Sequence, residues 1–211
     1  MNKKKKYNRK VISSIILGLI IIIVGIIVCC FCRPLVLKNS LSTVEFGNYK
    51  VKLNDKVKKI DMDFNMLGIE NIDDPSDCDY VSSDDIKNLK IKNNYIWLLE
   101  KNNLSDATLY LKGANTSNKE INIENGKVEY IRVKIYSYDS KEKITVFDNL
   151  KLGESSKNDV LKKVEKLSEI KGVVVTEISD KIFIRYNDNL YVEFIFENSV
   201  LNEFLISSLL N

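Results

Sequence analysis

Between Lys10 and Arg33 the chain runs for 22 residues, VISSIILGLIIIIVGIIVCCFC, without a single charge. As a helix this run would be about 33 Å long at about 1.5 Å per residue, enough to cross a hydrocarbon core of about 30 Å. A cleaved signal peptide is the rival reading, but its apolar region is only about 7–15 residues and ends at a small-residue cleavage site. A lipoprotein signal would want Gly, Ala or Ser before the modified Cys, whereas Val28 precedes Cys29. An uncleaved single-pass anchor over residues 11–32 is therefore expected. Lys3, Lys4, Lys5, Lys6, Arg9 and Lys10 crowd its N-terminal side, against only Arg33 and Lys38 on the other. That asymmetry places the basic tail, residues 1–10, in the cytoplasm. Pro34 ends the helix, residues 33–43 form a linker, and the rest is expected outside the cytoplasm at the cell membrane.

Apart from those six bases, the chain carries 26 bases against 29 acids. A nucleic-acid surface needs a local Lys/Arg surplus, so nucleic acid is not an expected partner. Cys78 stands alone beyond the uncharged run, which rules out an internal disulfide there and leaves stability to a packed core. Cys29, Cys30 and Cys32 read as apolar filler, as acylation sites or as links between chains.

Two segments resemble each other. FGNYKVKLNDKVKKI from Phe46 and FDNLKLGESSKNDVLKKV from Phe147 both run Phe, one residue, Asn, apolar, Lys, apolar. In the second, Gly153 breaks a short strand, and Ser156 with Asp159 three residues on forms a capping-box-like helix start. Val160, Leu161, Val164 and Leu167 then recur at helical spacing. GVVVTEIS, KIFIRY, LYVEFIF and VLNEFLI follow as strands joined by tight turns, an antiparallel meander. The first half offers YIWLLE, ATLYLKG, KEINIE and KVEYIRVKIY as strands, with Ser82 or Ser83 capping a short helix through Asp84, Asp85, Ile86 and Leu89. The endings IENGKVEYIRV and IFENSVLNEFLI also align. These pairs predict an α+β fold: a transmembrane helix, then two helix-plus-antiparallel-meander repeats over 44–138 and 144–211, helices on one face. Chance similarity in a Lys-, Asn- and Ile-rich chain is the competing explanation.

A strand ending in LKLG, a capped helix and a meander closing on FENS-V resembles the repeat of β-lactamase-inhibitor-like proteins. It is similar also to the small lipoprotein of the outer-membrane assembly machinery. The layout resembles anchored proteins of low-GC Gram-positive bacteria that carry two such units. Residues 144–211 carry most of the match; the lipobox Cys of that group is missing and the first unit has an acidic insertion. The resemblance implies protein binding on a sheet face without catalysis, and transfers no site residue.

The chain contains no His, which removes the commonest general base and the usual zinc sites. Ser168-Glu169-Ile170-Lys171 matches Ser-x-x-Lys, without the Ser-Asp-Asn and Lys-Thr-Gly companions of penicillin-recognising enzymes. The chain is not expected to be an enzyme, and no catalytic, cofactor or metal residue is assigned. The acidic run Asp73, Asp74, Asp77, Asp79, Asp84 and Asp85 supplies hard oxygen ligands and supports the alternative, a calcium-dependent envelope sensor or enzyme using residues 73–85. Asp61, Asp63 and Asn65 begin a calcium-loop pattern in which Met66 replaces the Gly and Ile72 the Glu. A solvated loop with capping carboxylates explains both clusters as well.

The leading expectation is a membrane-anchored external binding or assembly module acting on an envelope protein. Period-two counting turns Ile131, Val133 and Ile135 inward and Tyr130, Arg132, Lys134 and Tyr136 outward. In the second half it turns out Phe183, Arg185, Tyr191, Glu193 and Ile195. Tyr130, Arg132, Tyr136, Phe183, Arg185 and Tyr191 are the candidate partner-binding residues, since Tyr and Arg dominate interface energetics. An ordinary solvated face of cross-strand pairs is the other reading of the same residues.

Overall fold

The computed structural model describes residues 16–23, 40–60, 64–71, 88–89, 94–100, 106–137, 143–187 and 189–208, with backbone alone for 64–71 and 94–100. The chain divides into two compact units, Met1–Ser40 and Leu41–Asn211. In the first, α1 covers residues 16–23. No helix among the described residues is long and apolar enough to cross a membrane. The anchor expected over 11–32 is corrected accordingly, and with it the single-pass cell-membrane location with an external domain. The eight described residues of α1 span about 12 Å at about 1.5 Å per residue, against the hydrocarbon core of about 30 Å. Residues 11–15 and 24–32 lie outside the described residues.

The second unit is mostly β-sheet. Its strands in chain order are β1 (Thr43–Phe46), β2 (Tyr49–Lys52), β3 (Phe64–Asn71), β4 (Asn88–Leu89), β5 (Asn94–Glu100), β6 (Ala107–Ala114) and β7 (Ile121–Asn122). β8 (Lys127–Ile135), β9 (Ile144–Val146) and β10 (Leu150–Lys151) precede the helix α2 (Lys157–Glu165). β11 (Val173–Ile178), β12 (Lys181–Tyr186), β13 (Leu190–Glu197) and β14 (Val200–Ser207) end the fold. They form an eight-stranded sheet in the order β11-β12-β13-β14-β8-β6-β5-β3, a four-stranded sheet β10-β9-β1-β2, and a β4-β7 ribbon.

The look-alike segments meet in space. The two FxN segments form the hairpins β1-β2 and β9-β10, which join through β1 and β9, with Phe46 opposite Ile144. The look-alike endings supply β8 and β14, which pair at the centre of the large sheet from Tyr130↔Ser207 to Lys134↔Glu203. The expected α+β arrangement of two helix-plus-meander repeats is nevertheless corrected: the unit is mostly β-sheet, and among the described residues of the first half no α-helix matches α2. After β2 the described chain makes only a 3-10 turn, Val57–Lys59. The physical reason is local: Lys56 at the N-cap makes no side-chain cap hydrogen bond. In α2, by contrast, Ser156 Oγ accepts from Asp159 N and Asp159 accepts from Ser156 N, completing the capping box. Leu89, expected on a short helix, lies in β4 instead, and residues 81–87 are outside the described residues.

Turn chemistry fixes the meander. Asn198 and Ser199, at φ 50° and 65°, both take the left-handed conformation that a tight β13-β14 hairpin needs. Gly172, at φ 86°, leads into β11 where a Cβ would collide with the Asn187 amide. Below the large sheet the core gathers Phe194 and Phe204, whose ring centroids lie 5.2 Å apart, and Phe147 from the β9-β10 turn, 6.3 Å from Phe194. Val160 and Val164 of α2 are buried, as the helical spacing predicts, while Leu161 is only half-buried. Burying residues of this size contributes about 1.5–3 kcal/mol each.

Candidate functional site

The face of the large sheet opposite this core is built by alternation along β6, β12 and the Tyr130–Ile135 part of β8. Ile131, Val133 and Ile135 of β8 are buried, while Tyr130, Arg132 and Lys134 are half-buried and Tyr136 is exposed. On β6, Leu109 and Leu111 turn in and Thr108, Tyr110 and Lys112 turn out. On β12, Ile182 and Ile184 turn in, leaving Phe183 half-buried and Arg185 exposed.

Register lines these side chains into rows. One row runs Phe183, Glu193, Leu205, Arg132, Tyr110 across β12, β13, β14, β8 and β6. The next runs Arg185, Tyr191, Ser207, Tyr130, Lys112 across the same strands. Five of the six expected residues therefore share two adjacent rows. Tyr136 stands apart, past the end of β8: its N–H donates to Asp106 O at 2.7 Å and Lys134 Nζ sits 5.4 Å above its ring.

Two carboxylates are set into this face. Glu203 is 4% exposed and Glu193 8%. Arg132 Nε donates to Glu203 Oε1 at 2.6 Å and Lys134 Nζ lies 3.8 Å from Oε2. Lys181 Nζ donates to Glu193 Oε1 at 2.7 Å and Tyr191 OH to Oε2 at 3.2 Å. The hydrogen bond to Glu203 raises the Arg132 pKa above its ordinary value, and the one to Glu193 does the same for Lys181. Burial, then the nearby Glu193 charge, pushes the Tyr191 phenol up to about 12. Tyr130 moves in the same direction, chiefly through burial. Both phenols stay protonated at physiological pH. Phe183 and Tyr191 contact each other with ring centroids 6.0 Å apart.

Glu203, Leu205 and Tyr110 belong to the face and are absent from the six expected residues. Tyr110 was legible from the alternation in ATLYLKG. Glu203 and Leu205 were not, because β14 carries an irregularity: Phe196 faces Leu201 but Ile195 faces Glu203, so Asn202 is an extra residue. A bulge of this kind reverses the parity of everything after it. Asn202 is buried, and its amide donates to Ile135 O at 3.1 Å and Glu197 Oε2 at 3.2 Å.

The acidic run over 73–85, Cys78, Asp61 and Asp63 lie outside the described residues. Asn65 and Met66 fall within strand β3 rather than a loop. Among the described residues no cluster of three or more His, Cys, Asp or Glu could hold a metal ion. No protein-family model, curated protein or solved structure matches the chain.

Proposed function

We propose that the open face of the eight-stranded sheet binds a protein partner. The row Phe183, Glu193, Leu205, Arg132, Tyr110, in which Glu193 is inset and bound by Lys181 and Tyr191, is the observation that carries this reading. It is an apolar and aromatic strip with one guanidinium, held rigid by two inset carboxylates. Half-exposed Phe and Leu side chains have no polar end to satisfy with water, whereas a partner would bury them. Arg and Tyr beside them are residue types that anchor interfaces with large area at low entropic cost. Sheet-face binding is also what the resemblance of residues 144–211 to β-lactamase-inhibitor-like repeats implies. Within the row Glu193 and Arg132 offset each other, while Lys134, Lys181, Lys112 and Arg185 flank it, which favours a partner surface that is apolar at its centre and acidic at its margin.

A photo-crosslinking amino acid placed in the full chain, in cells, tests this. Positions 183 and 205 should each give the same discrete adduct with a different protein, and exposed position 154 should give none. No adduct, or the same adduct from position 154, would show that the face is merely solvated.

A further inference from the structure

We propose that the β11 edge of the large sheet pairs with the same edge of a second copy of this chain, antiparallel, about a two-fold axis at Thr176. β11 is the terminal strand and pairs with β12 without interruption from Val173↔Tyr186 to Ile178↔Lys181. Among the described residues no strand lies on its other side. The closing pair of a two-residue hairpin exchanges both main-chain hydrogen bonds, and the pattern alternates from there. Ile178, Thr176 and Val174 therefore aim their main-chain groups at β12, and Glu177 and Val175 aim theirs outward. Val173 shares that outward orientation, its N–H reaching Ile170 O at 3.0 Å rather than β12.

Sheet edges are ordinarily protected by Lys, Pro, bulges or brevity. β11 has none of these: VVVTEI is six residues long, in unbroken register. Its one charge, Glu177, is drawn aside by Lys157 Nζ at 2.5 Å. Val174 and Ile178, on the face that carries Phe183, are 57% and 58% exposed. An apolar edge of this kind is a template for strand addition.

The strand's own sequence selects the occupant and the register. Outward groups can meet as Val175 on Val175, Val175 on Glu177, or Glu177 on Glu177. The last sets like charges directly opposite, which is destabilising. The first leaves Ile178 facing Gly172 of the other copy. The second places each Val174 against the other copy's Ile178, covers the most exposed apolar side chains of both strands, and sets Thr176 against Thr176. Only this register covers the exposed apolar pair and is free of like-charge pairs.

Thr176 then forms a non-hydrogen-bonded pair with itself, with Cα atoms about 4.5 Å apart, within the disulfide range of about 4.4–6.8 Å. In the full chain, Thr176→Cys should form a disulfide between the two copies at position 176 on mild oxidation, identified by peptide mapping so that native cysteines do not intrude. Val175→Cys should form no link to its own copy, because that residue faces Glu177. Adding Val175→Pro to Thr176→Cys removes an outward N–H without touching the β12 bonds, and should lower the yield at least about tenfold. The absence of a link at position 176, equal linking at position 175, or a yield indifferent to Val175→Pro in a folded chain would overturn the proposal.

Discussion

Arg132 Nε donates to Glu203 Oε1 at 2.6 Å across the β8-β14 junction, the one pairing within the large sheet that joins strands of the first half to those of the second. Glu203 is almost fully buried, whereas the Arg132 side chain is 42% exposed, so the pair is unequal. Replacing Arg132 by Ala leaves a buried carboxylate with only the more distant Lys134. The expected cost is about 2–3 kcal/mol in urea unfolding, most of it the orphaned charge rather than the lost contact. Glu203→Gln in the Arg132→Ala background should recover part of that loss. Additive costs, or a loss below about 0.5 kcal/mol, would show that Glu203 is solvated.

Gly172 sits at φ 86° with its Cα against the Asn187 amide, and Asn187 N donates to Gly172 O at 2.7 Å. Gly172→Ala adds a Cβ where both backbone and space refuse it. Destabilisation of about 1–3 kcal/mol is expected, partly relieved by Asn187→Gly, which removes the colliding side chain. A Gly172→Ala protein with an unchanged urea midpoint would contradict the strained entry into β11.

Much of the second half was legible because its local signals agree with one another. Ser156 and Asp159 cap α2, period-two runs supply β11 to β14, and left-handed Asn198 and Ser199 close the last hairpin. In the first half the helix expected after Ser82 or Ser83 gives way at Leu89 to strand β4, and the segment that parallels α2 forms no α-helix. Val57 and Ile60 are buried as a helical stripe would have them, yet without a capping side chain at Lys56 the segment stops at a 3-10 turn. The open face was legible on β12 and on β8 from Tyr130 onward, where alternation is unbroken, and not on β14, where Asn202 shifts the count. Which strands of the two halves would touch was not legible at all. That depends on main-chain pairing between segments far apart in sequence, such as β8 with β14.

Asp159 accepts hydrogen bonds from the Ser156 main chain and hydroxyl, 2.9 Å and 2.6 Å to Oδ2, and these hold its pKa below the ordinary carboxylate value. A carboxyl whose folded pKa is depressed contributes stability above its unfolded pKa and loses it as pH falls through the folded one. Amide exchange in the first turn of α2 should thus be insensitive to pH near neutrality, after correction for intrinsic rates. Protection should fall only below about pH 4. Asp159→Asn should remove that acid-side loss; an unchanged acid profile would mean that the capping box does not govern this end of the helix.

Glu129 is the extra residue of the β6-β8 bulge, where Lys112 faces Tyr130 but Gly113 faces Val128. Its side chain is buried and Oε2 has no hydrogen-bond partner among the described residues. Burial raises its pKa, and the nearby Lys112 and Lys127 only partly offset this. For an acid with a raised folded pKa the sign is opposite to that of Asp159. Below the unfolded value of about 4.3 both states are protonated and there is no penalty. As pH rises from there through the folded pKa, the unfolded chain ionises first, and stability declines until the folded group ionises too. Glu129→Gln abolishes that decline. The difference in urea midpoint between the Gln variant and the parent should therefore shift in favour of the variant as pH rises through this window, then level off. Parallel profiles would place Glu129 in contact with water and remove the bulge as a source of pH dependence.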